Sequence, residues 1–138
     1  MTKFDFGDGK GLVPALKHPN GGGWVAETAL VEGSVFVGLW AKVYGNAKVY
    51  GYARVYGYAR VSGDAWVSGD AKVYDNALVF GNAQVYGNAQ VYGDAWVSGD
   101  ALVSGDALVY GNAQVCGNAK VYGDAWVSGE EPPSTQEV

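Results

Sequence analysis

A single cysteine, Cys116, has no partner within the chain, so no disulfide framework supports the fold. A single histidine, His18, cannot supply the three imidazoles that hold a catalytic zinc with an open position. No apolar run reaches about eighteen residues, which excludes a membrane-spanning helix. Basic residues are also in deficit: nine Lys and Arg stand against fourteen Asp and Glu, a formal charge of −5. That balance argues against a nucleic-acid partner recruited by phosphate neutralisation. Residues 1–6 lack the basic, apolar, small-residue order of a signal peptide, and the expectation is a cytoplasmic or virion-associated protein.

What is abundant is valine, alanine, tyrosine and glycine, and they recur on a fixed period. From Val25 to Val127 every sixth residue is valine, and within the complete hexads, from Val25 to Trp126, Ala follows four residues after each valine except at Val35. From Val43 the unit reads Val-x-Gly-(Asn or Asp)-Ala-x; Asp75 replaces the glycine once, and Tyr52, Tyr58 and Glu130 replace the Asn or Asp. A fixed period of this kind is the signature of a repeat architecture. Ala-x-Val-x alternates as a short strand does, with Ala and Val on one face. Gly-Asn and Gly-Asp tolerate positive φ and turn the chain after each strand. Three strands and three corners close a coil of about eighteen residues, with residue i stacked about 4.8 Å from residue i+18. The expectation is an all-β parallel β-helix, a triangular solenoid of about 5.7 coils spanning residues 25–128. Residues 1–24 would form an N-terminal cap segment, and residues 129–138, polar and broken by Pro132-Pro133, a disordered tail.

The valine and alanine positions resemble the hexapeptide-repeat superfamily, and that resemblance implies a left-handed coil. It also implies a homo-oligomer, with a trimer of side-by-side solenoids favoured. The stretch leading into the hexads, His18-Pro19-Asn20-Gly21-Gly22-Gly23-Trp24-Val25, resembles phage and prophage hexapeptide-repeat proteins of unassigned function. The superfamily's acyltransferases use a histidine base and a loop-bound thioester donor. Here no loop interrupts the hexads and His18 lies outside them. The expectation is therefore no enzyme, no catalytic residue, no cofactor and no metal. Two alternatives stay open: an acyltransferase-like enzyme with its donor site between subunits, and an inhibitor that docks on a host protein.

Coil registry lets the outward columns be read. Tyr56, Tyr74, Tyr92 and Tyr110 fall on successive coils of one face, beside Arg54, Lys72 and Gln90. Such a row suits a carbohydrate, an aromatic ligand or a protein partner, or it simply steadies neighbouring strands. Leu78, Phe80 and Trp96 form an apolar group on a second face and are the candidates for self-association. Trp66, Trp96 and Trp126 recur every thirty residues, which is five hexads, so they belong on three different faces. Asp64, Asp70, Asp94, Asp100, Asp106 and Asp124 occupy corner positions that Asn fills elsewhere, which turn chemistry explains; metal binding by stacked carboxylates is the minor alternative. Charge is uneven along the axis: residues 42–72 carry five cations, whereas residues 75–131 carry only Lys120.

Overall fold

A computed structural model describes residues 2–129 of the chain. The segment expected to be a disordered tail lies outside these residues, except for Gly129. Three strands of ordinary length come first: β1 (Lys3–Asp5), β2 (Leu12–Lys17) and β3 (Trp24–Ala26). Seventeen two-residue strands follow, β4 to β20, running from Leu30–Val31 to Trp126–Val127 at one strand per hexad. Among the described residues no helix is long and apolar enough to cross a membrane.

The strands pair in parallel at a separation of eighteen residues, as in Val43↔Val61, Val67↔Val85 and Val91↔Val109. They assemble three sheets. The first holds β3 and every third strand after it and is extended by β1 and β2; the second holds the series from β4, and the third that from β5. The chain is thus the all-β parallel solenoid expected from the period, with about eighteen residues per coil. From Val35 to Ala113 every inward valine and alanine has no accessible surface. Burying one valine is worth roughly 1.5–3 kcal/mol, so the columns of valine on valine dominate the energetics.

Corners set how tightly the coils can stack. The corner glycines have φ between 62° and 70° from Gly45 to Gly123. A Cβ on Gly45 would lie 2.9 Å from the amide nitrogen of Gly63. Glycine is therefore required twice over, for its backbone conformation and for its missing side chain. Asp75 holds the same conformation at φ 59°, and its Oδ2 accepts a 3.1 Å bond from the Gly93 amide on the next coil. That bond offsets part of the left-handed strain, which Asp bears better than most residues.

The non-periodic residues 2–24 complete the N-terminal end in three ways. Strand β2 pairs antiparallel with β3, and β1 with β2. The hairpin folds over the outer face of the first sheet: Phe4 stacks on Trp24 at 4.7 Å and Phe6 on Tyr44 at 4.9 Å. Phe6, Ala15 and Ala26 are buried in this second, smaller core. Residues 20–23 run along the edge of β5 (Phe36–Val37), where Val37 N–H donates to Asn20 O and Gly23 N–H to Val37 O, both at 3.0 Å.

Stability should follow the inward columns alone. Val85→Ala should cost about 2 kcal/mol, and Val85→Asp should abolish folding because the buried carboxylate has no partner. Gln84→Ala, on the outer side of the same strand, should change stability by less than about 0.5 kcal/mol. Thermal unfolding followed by circular dichroism measures all three, and equal effects at positions 84 and 85 would refute the inward assignment of valine.

Candidate binding surfaces

The third sheet brings the four tyrosines together. Tyr56 and Tyr74 stack with centroids 4.8 Å apart and planes 2° from parallel; Tyr74 and Tyr92 do so at 4.9 Å and 3°. Tyr92 and Tyr110 follow at 5.3 Å and 10°. Because the faces meet one another, the column shows solvent its ring edges and hydroxyls. Arg54, Lys72 and Gln90 stand in direct register on the same sheet, and the Tyr74 hydroxyl donates to Gln90 Oε1 at 3.0 Å. Burial pushes the Tyr56, Tyr74 and Tyr92 hydroxyls above the usual tyrosine value of 10.0. Neighbouring tyrosines add to the shift at Tyr74 and Tyr92, while Arg54 opposes it at Tyr56.

On the first sheet Leu78 pairs in register with Trp96, and Phe80 meets Trp96 edge to face at 5.9 Å. Trp96 remains 42% exposed while Leu78 and Phe80 are half-buried, so the three form one apolar rung pair open to solvent. Trp66 lies on the second sheet and Trp126 on the third. The thirty-residue recurrence therefore distributes tryptophan around the prism, as the period requires.

The aspartates are corner residues, and through the middle coils they are interleaved with asparagine, whereas Asp124 follows Asp106 directly on the last coil. One corner column reads Asn46, Asp64, Asn82, Asp100, Asn118 from coil to coil. Asn76, Asn82 and Asn88 each donate to the aspartate stacked above, Asp94, Asp100 and Asp106, at 3.2–3.3 Å. An amide between two carboxylates supplies donors and separates like charges. Among the described residues no group of three or more His, Cys, Asp or Glu side chains converges on a metal position. Asp5 and Asp8 accept bonds from Gly7 and Lys10 two residues on, as turn residues do.

His18 is 7% exposed, and its Nε2 lies 2.7 Å from the carbonyl of Val35. A carbonyl only accepts, so Nε2 carries the proton and is occupied in holding the first coil. Cys116 is exposed on the first sheet.

One concavity lies where no candidate was named from the sequence. It has a volume of about 390 Å³ and is lined by Phe4, Lys17, Trp24, Trp40, Lys42 and Tyr58, among others. Trp40 and Tyr58 share a corner column, eighteen residues apart, where later coils carry Asn76, Asp94 and Asn112. Both are 64% exposed. Lys17 Nζ lies 5.5 Å from the Trp24 ring centre and Lys42 Nζ 5.5 Å from that of Phe4. The signal in the sequence was the breach of the corner rule; the hairpin that builds the other wall has no period from which to place it.

The YdcK beta solenoid repeat family matches five segments, residues 53–69, 71–87, 83–99, 89–105 and 113–129, which together cover half of the chain. No curated protein and no solved structure matches it.

The raised tyrosine values carry a sign. The hydroxyls resist ionisation when folded, so the column stabilises the fold fully below pH about 10, and that contribution is lost as pH rises through the higher folded values. In an ultraviolet titration the column should ionise after a tyrosine model compound, with unfolding shifting to lower temperature above pH about 10. Tyr74→Phe should weaken that alkaline loss. An unchanged alkaline profile in Tyr74→Phe would contradict the stacked, half-buried column.

Proposed function

The chain belongs to the YdcK beta solenoid repeat family, and on that basis we propose that it is a non-catalytic binding solenoid that associates with copies of itself. The supporting observation is the Leu78, Phe80 and Trp96 group on a flat outer face of the first sheet. Rigid parallel sheets hold such side chains at fixed spacing, so a second solenoid can meet them without reorganising. Aromatic side chains concentrated in one patch are the compositional mark of interface cores.

A side-by-side trimer is the favoured assembly, following the resemblance to hexapeptide-repeat proteins. Its faces would leave the Tyr56–Tyr110 column, with Arg54, Lys72 and Gln90, available to a carbohydrate or protein partner. A phage-encoded structural role fits the resemblance of residues 18–25. The absence of catalysis is part of the proposal, and its support is that the one imidazole is committed to the Val35 carbonyl.

Light scattering tests the self-association. The wild-type chain should have three times the monomer mass at low and at high salt, because an apolar contact is not screened. Leu78→Lys with Trp96→Lys should give a monomer whose melting temperature in dilute solution is set by the intact core. A wild-type monomer at both salt concentrations, or a variant that keeps the wild-type mass, would overturn the reading.

A further inference from the structure

We propose that the concavity between the N-terminal hairpin and the Trp40–Tyr58 corner binds an acidic saccharide, a short chain containing uronic-acid residues. Three features of the groove specify that chemistry.

The first is its pair of aromatic platforms. Trp40 and Tyr58 are each 64% exposed and lie on adjacent coils of one corner. At this column the fold asks only for a small polar residue, as Asn76, Asp94 and Asn112 show. Large rings here contribute nothing to the core, which is closed by Ala41 and Ala59 behind them. Unlike the tyrosine column, they are not stacked into a continuous ladder: ring stacking on the third sheet runs from Tyr56 to Tyr110 and does not include this corner. Aromatic faces with a concave, largely apolar wall suit the C–H faces of a pyranose ring.

The second feature is concentrated positive charge. Lys17 and Lys42 line the groove, and Arg60 stands beside Lys42 in direct register on the next coil. Like charges directly opposite in a ladder are destabilising. Burial, and then Arg60, lower the pKa of Lys42. Where acids stack in the middle coils, this chain inserts asparagine between them, at Asn82 between Asp64 and Asp100 and at Asn88 between Asp70 and Asp106; Asp124, on the last coil, lies directly on Asp106. The Lys42–Arg60 pair lacks such a spacer, and a carboxylate from a ligand would relieve it.

The third feature decides between anions. Two lysines and an arginine form a short cluster beside the N-terminal hairpin, not a track along the solenoid. The chain as a whole carries −5. A long polyphosphate chain would be repelled beyond the groove by the corner aspartates, whereas a saccharide bearing one or two carboxylates fits within it.

The test uses the full chain and isothermal titration with tetragalacturonate, with maltotetraose as the uncharged control and an RNA tetranucleotide as the phosphate control. Tetragalacturonate should bind, with affinity falling as salt rises. Tyr58→Asn, which restores the residue type of the later coils, and Lys42→Met should each weaken binding about tenfold or more. Both variants should melt no lower than the wild type, because neither side chain enters the core. Gln84→Ala, on another face, should bind as the wild type does. Failure of tetragalacturonate to bind at millimolar concentration, undiminished binding by both variants, or preference for RNA would each overturn the proposal. These outcomes are independent of oligomer mass, so they are distinguishable from a failure of self-association.

Discussion

Everything in this molecule follows from residue i lying against residue i+18. The stacking makes each column repeat one chemical problem six times, once per coil. Inside, the solution is uniform: valine on valine along each side and alanine by each corner, buried without accessible surface through the middle coils. At the corners, the backbones approach so closely that a Cβ on most glycines would meet the next corner's amide at 2.8–3.2 Å. The repetition of glycine is thus a stacking requirement as much as a turn requirement. Asp75 departs from it by directing its carboxylate onto the amide above.

Outside, the same constraint separates side chains that gain from meeting their own kind from those that lose. Tyrosine gains, and four of them form a nearly parallel stack. Aspartate loses, and through the middle coils asparagine is interleaved so that carboxylates alternate with donors, Asp106 and Asp124 being the one direct stack. The basic residues of the early coils are handled differently. Lys42 lies against Arg60 and Arg54 against Lys72 without a neutral spacer. Repulsion is accepted there, at the end of the solenoid that also carries the exposed Trp40 and Tyr58.

The period made most of the architecture legible. Valine spacing alone identifies the inward positions, the strand of each hexad and the eighteen-residue register that places Tyr56 beside Tyr74 and Leu78 beside Trp96. It also places Trp66, Trp96 and Trp126 on separate sheets. What the period cannot convey is orientation about χ1 and χ2, so the row of stacked tyrosines is legible in the sequence but the near-parallel set of their ring planes is not. Residues 2–23 have no period at all. Their antiparallel pairing with β3 and the packing of Phe4 and Phe6 onto Trp24 and Tyr44 depend on tertiary fit. The groove at Trp40 and Tyr58 is half built from those residues, which is why only its corner half left a trace in the repeat.

The central claim is that core registry has a period of six while surface registry has a period of eighteen. Removing one hexad, residues 85–90, measures this most directly, with removal of residues 85–87 as the comparison. Thermal unfolding should remain cooperative after the six-residue deletion, within a few degrees of the wild type, because every inward valine still lies on a valine. The tyrosine column, by contrast, should end at Tyr74. The three-residue deletion should abolish cooperative unfolding, since valine would fall on corner positions. Loss of the fold with six residues removed, or its survival with three removed, would contradict the account.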